Sequence, residues 1–113
     1  MKEVIKNKWV KALRSGDYKQ SQDQLKDSVG FCCLGVLCDL APRKVGEWEG
    51  DGTIFNGNEC DLSESVMKWS GVCSADGDLP KKRSGIASLA NLNDSGRSFK
   101  QIANVIEKHW ETL

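Results

Sequence analysis

A chain of 113 residues, 39% of them apolar and with four tryptophans, suffices for one core and leaves little room for a second. Such a composition speaks against disorder, and the ten-residue apolar run Phe31–Leu40 is too short to cross a bilayer. The formal net charge is zero.

The first predicted element is a helix in which Ile5, Trp9, Val10 and Leu13 share a face, with Gly16 as its stop. Lysines occupy the other side. Its apolar face is short for a membrane anchor, and the segment lacks the uninterrupted apolar stretch and cleavage pattern of a signal peptide. Tyr18 to Leu25 has no clean periodicity and reads as a crossing segment.

A second helix is expected over about 31–41, where Cys33, Leu34, Leu37, Cys38 and Ala41 form a stripe that Pro42 ends. Gly35 inside it costs about 1 kcal/mol of propensity relative to Ala, which points to close packing. Val45–Trp48 and Thr53–Phe55 flank Glu49-Gly50-Asp51-Gly52 and predict a β-hairpin. Two strands alone are marginal, so the hairpin should pack on the second helix.

A third helix starts after Ser63, or after Asp61 with Glu64 completing a capping box, and Gly71 closes it. Ile86, Leu89, Ala90 and Leu92 predict a short helix capped by Ser84, followed by a turn at Asn93-Asp94-Ser95-Gly96. Ser98 and Gln101 have capping-box spacing, and Phe99, Ile102, Ala103, Ile106 and Trp110 follow at helical intervals. The sum is an α+β fold: a single domain, 1–113, of about four to five helices packed with a short hairpin.

Charge is distributed in blocks. Residues 1–19 carry six basic side chains against Glu3 and Asp17, a net of +4; residues 46–78 carry eight acidic ones against Lys68, a net of −7. Residues 79–101 return to +4 through Lys81, Lys82, Arg83, Arg97 and Lys100 against Asp94. Such asymmetry either pairs the basic ends with the acidic centre inside the fold or steers a partner.

Five cysteines without a secretion signal read as reduced thiols. Cys33, Cys38, Cys60 and Cys73 contain no local C-x-x-C pair, and burial as small apolar groups explains the thiols better than zinc or redox work. Cys60 and Cys73 fall near loops and should be the more exposed. The acidic turns Glu49-Gly50-Asp51 and Asp76-Gly77-Asp78 lack the spaced ligands of a calcium loop. Phosphate-loop and dinucleotide signatures are missing, and His109, the only histidine, sits near a helix C-terminus, where it can interact with the helix dipole or cap carbonyls. No catalytic residue, metal ligand or cofactor is assigned.

Trp48, Phe55 and Trp69 are candidates for an aromatic ligand-binding groove, with Lys81, Lys82 and Arg83 as partners for an anionic ligand. The closing helices also resemble a helix-turn-helix in outline, and Arg97, Lys100, Gln101 and Asn104 would then meet DNA.

Residues Trp9 to Gln20, Phe31 to Leu40 and Leu92 to Ala103 resemble a family of small, poorly characterised proteins of tailed bacteriophages and prophages. The resemblance covers most of the chain and transfers no catalytic residue. It implies an accessory protein in the cytoplasm of an infected host cell. The expected function is non-catalytic binding of a host protein or a small anionic ligand, with DNA binding as the alternative, no membrane partner, and room for a homodimer to supplement a small core.

Overall fold

The computed structural model describes residues 1–80 and 88–113. Among these the protein is α+β, with five α-helices and one two-stranded antiparallel hairpin. Ile5, Trp9, Val10 and Leu13 of α1 (Glu3–Ser15) are buried, and Gly16 ends the helix at φ +80°, a left-handed conformation that glycine adopts without penalty. Trp9 is fully buried; its indole Nε1 donates to the Cys33 carbonyl at 2.9 Å, so the first helix is bonded to the start of the second.

In α2 (Cys33–Leu40), every residue from Cys33 to Cys38 is buried. Cys32 serves as N-cap, its Sγ accepting the Gly35 N–H at 3.4 Å. A Cβ on Gly35 would lie 1.7 Å from the Leu25 carbonyl oxygen. This glycine therefore admits the backbone of the crossing segment against the helix, as its place in an apolar run suggested.

That segment, between Gly16 and Cys32, is irregular but bonded throughout. Phe31 N–H donates to Lys19 O, Ser21 N–H to Phe31 O, Cys32 N–H to Leu25 O and Leu25 N–H to Glu59 O. Asp27 organises its bend: the Ser21 hydroxyl and the N–H groups of Gly30 and Val29 all donate to the carboxylate and hold its pKa down.

The hairpin is shorter than the sequence implied. β1 (Trp48–Glu49) pairs with β2 (Ile54–Phe55) in the register Trp48 opposite Phe55, and Val45 to Glu47 lies outside it. Pro42 draws those residues into a turn instead, its carbonyl accepting the Val45 N–H. α3 (Glu64–Ser70) is capped by Ser63, which accepts the Val66 N–H at 3.4 Å. The alternative cap does not form: Asp61 accepts from Asn58, and Glu64 pairs with Lys68 one turn along.

α4 (Leu89–Asp94) starts after Ser88, whose hydroxyl accepts the Asn91 N–H. Ser84 and Ile86, expected in this helix, lie outside the described residues. Asn93 and Asp94 belong to the helix, and the turn narrows to Ser95 and Gly96. α5 (Phe99–His109) carries the full Ser98/Gln101 capping box and packs along α1, with Trp110–Thr112 forming a last 3-10 turn. At the edge of the α1–α5 contact, Glu107 takes Lys6 at 3.2 Å and Arg14 at 3.7 Å.

Asn93 is the one fully buried carboxamide in the described core. Its Oδ1 accepts from Gln20 Nε2 at 2.9 Å and Cys33 N at 3.2 Å, and its Nδ2 donates to Ser21 O at 2.8 Å. One side chain thus joins the crossing segment, α2 and α4. Asn93→Leu strands these groups without water, so it should cost about 3 kcal/mol in urea unfolding. The exposed neighbour substitution Asp94→Asn should cost far less.

Candidate binding site

Four rings form a continuous row where the crossing segment, the hairpin and α2 meet. Tyr18 and Phe31 lie 5.1 Å apart, Phe31 and Trp48 6.0 Å, and Trp48 and Phe55 5.1 Å, each pair edge to face. This geometry sets the positive ring edge against the negative face of the next ring. The strand register makes Trp48 and Phe55 neighbours, and the bond from Phe31 N–H to Lys19 O brings Phe31 beside Tyr18.

Burial is graded along the row. Phe55 is 2% exposed and belongs to the core, whereas Tyr18, Phe31 and Trp48 are only partly buried. Phe55 therefore supports Trp48 from beneath and does not line a groove. Trp69, on α3, is outside the row of ring contacts. Lys81, Lys82 and Arg83 lie outside the described residues.

Two charged side chains finish this face. The Lys26 ammonium sits 5.0 Å from the Phe31 ring centre and 5.2 Å from that of Trp48, within cation–π reach of both. Asp39 accepts from the Tyr18 hydroxyl at 2.6 Å and from Trp48 Nε1 at 3.1 Å, fixing two rings with one carboxylate. An acidic residue in the last turn of α2 opposes the helix dipole, and these two donors offset that disadvantage. Neither Lys26 nor Asp39 was singled out from the sequence; Lys26 lies in a polar, aperiodic stretch and Asp39 at the end of an apolar run, and only their contacts reveal them.

Tyr18 also borders a groove of about 360 Å³. Ala12, Leu40 and Tyr18 supply its apolar surface, while Lys8, Lys11 and Asp17 stand around it. A smaller notch of about 200 Å³ lies between Leu92, Arg97, Gln101 and Val105. The residues considered for DNA are all exposed on or just before α5, but two have other duties. Gln101 Oε1 accepts the Ser98 N–H, and Asn104 accepts from Arg14 at 2.9 Å.

Direct pairing between the basic first segment and the acidic centre is absent among the described residues. Lys6 and Arg14 pair with Glu107, while Arg43–Glu47 and Lys68–Glu64 are local helical-spacing pairs.

All five thiols are free; Cys32, Cys33 and Cys38 are buried, and Cys60 and Cys73 are exposed. Burial pushes Cys32 up to about 11 and drives Cys33 and Cys38 up as well. Cys60 is also raised, by desolvation and then by Glu59, Asp61, Asp23 and Asp94. These shifts oppose thiolate formation, the reverse of what a nucleophilic cysteine requires. No group of three or more potential metal ligands occurs among the described residues.

The thiol environments predict a two-class labelling pattern. Cys60 and Cys73 should react with a soluble thiol reagent in the native protein, and the other three only after unfolding. A thiol buried as the neutral form stabilises the fold below its unfolded pKa. That contribution is lost above it, because the unfolded chain releases its proton first. Stability should therefore fall from about pH 9 towards pH 11, by up to about 1.4 kcal/mol per pH unit for each such thiol.

Tyr18 supplies a second optical test. Burial first, then the hydrogen bond and charge of Asp39, then the charge of Asp17, push its phenol far above the usual 10.0. It is the chain's single tyrosine, so phenolate absorbance reports this site alone. Native protein should show no phenolate at pH 10–11, and Asp39→Asn should bring its appearance to lower pH.

No curated protein and no solved structure matches this chain. Residues 1–110 match the family described as Domain of unknown function (DUF8296), and on that coverage the chain belongs to this family.

Proposed function

We propose that the protein is a non-catalytic binding module whose recognition face is centred on Tyr18, Phe31 and Trp48. The supporting observation is that Asp39 bonds Tyr18 and Trp48, Phe55 packs on Trp48, and Phe31 packs between the Tyr18 and Trp48 rings. Rigid aromatic anchors lose little entropy on association and commonly dominate interface energy. Lys26 beside them and Lys8 and Lys11 around the adjoining groove favour an anionic partner. The resemblance to tailed-phage proteins suggests a host protein in the cytoplasm of an infected bacterium. No helix among the described residues is long and apolar enough to cross a membrane.

A protein partner fits better than a small anionic ligand, because the row of rings and the groove together make an extended open surface. Duplex binding through Arg97, Lys100, Gln101 and Asn104 draws less support, since the last two side chains are already engaged by Ser98 and Arg14.

Affinity capture from bacterial extract tests the reading. A specific partner should be retained by wild type and by Lys100→Glu, and lost with Lys26→Glu and Trp48→Ala variants shown by circular dichroism to be folded. Retention by those two variants, or salt-sensitive duplex binding abolished by Lys100→Glu, would favour another face.

A further inference from the structure

We infer that the groove beside Tyr18 is the subsite for an acidic segment of a protein partner, one that presents a large apolar side chain between carboxylates. This rests on the binding reading above and assigns the partner's chemistry. Lys8, Lys11 and Ala12 lie at i, i+3 and i+4 on α1, hence on one face of the helix. The carbon surface of Ala12, Leu40 and Tyr18 forms the apolar part of the groove, whose volume of about 360 Å³ accommodates a bulky side chain. Asp39 holds the Tyr18 hydroxyl, leaving the ring as Tyr18's contribution to that surface.

Charge selects the occupant. The helix divides its basic residues by face. Lys6 and Arg14 share the Glu107 carboxylate across the α1–α5 contact, whereas Lys8 and Lys11 have no acidic partner among the described residues. The groove margin carries these two cations against the single carboxylate of Asp17. An apolar floor under a net positive rim complements an acidic segment and repels a basic one. Lys26, over the adjacent rings, adds a third cation to the face, against the Asp39 carboxylate bonded to Tyr18 and Trp48.

The test uses the full chain and two labelled synthetic peptides, one with a central Leu flanked by Glu residues and one with every Glu replaced by Lys. Fluorescence anisotropy should show the acidic peptide binding and the basic one not, with affinity falling as salt rises. Lys8→Glu combined with Lys11→Glu, both exposed positions, should weaken the acidic peptide about tenfold or more, whereas Asp17→Asn should tighten it. Replacing the central Leu by Ser should also weaken binding.

Failure of the acidic peptide to bind wild type, or equal binding to the charge-reversed variant, overturns the assignment. The broader binding reading has a separate fate. A captured partner sensitive to Lys26→Glu but indifferent to Lys8→Glu/Lys11→Glu would leave that reading standing and remove this one.

Discussion

From Cys33 to Cys38, α2 has no solvent-facing side, and the rest of the molecule is arranged to satisfy that burial. A helix that is apolar all round must be enclosed. Here α1 and α4 pack against it, while the crossing segment approaches so closely that residue 35 must be glycine. The indole of Trp9 and the carboxamide of Asn93 meet backbone groups at its first turn, placing polar atoms inside the core only where partners await them. Buried thiols along this helix are a consequence of the same enclosure: they fill space, and burial keeps them protonated.

The enclosure also creates the proposed recognition face. Because the crossing segment is pressed against α2, Tyr18 is delivered to the Asp39 carboxylate in the last turn of that helix, and Phe31, just before its N-cap, packs edge to face with the Tyr18 ring. The hairpin brings Trp48 to the same carboxylate from the other side. Three pieces of chain distant in sequence thereby contribute to one ordered surface. Its order has a physical source in edge-to-face ring contacts and two hydrogen bonds to Asp39, so the rings are held in position before any partner arrives.

Electrostatics gives the face a sign. The basic first segment finds Glu107 on α5 for two of its cations and leaves others directed to solvent, while the acidic central residues pair locally or remain without a basic partner from the first segment. Overall neutrality therefore conceals separated surface charge. Such separation contributes little to folding stability, since exposed pairs are worth only a few tenths of a kcal/mol to about 1 kcal/mol. It has more consequence for the orientation in which a charged partner approaches.

The amino-acid sequence by itself determined the helices with a strong local signature: the Trp9 stripe ended by Gly16, the Pro42 stop, the Ser63 and Gly71 boundaries of α3, and the Ser98/Gln101 box of α5. These depend on contacts within a few residues, which spacing records. It also placed Trp48 and Phe55 in one hairpin, while the register that sets them opposite each other came from the structure. Tertiary structure alone decided that Phe55 lies beneath Trp48, that Asn93 belongs inside α4 as a buried crosslink, and that Tyr18, Lys26, Phe31 and Asp39 converge. An irregular segment has no period to read, and its route is set by long-range hydrogen bonds and by the space beside Gly35. That is why the anchors of the candidate site were visible in part, while the residues that orient and charge it were not.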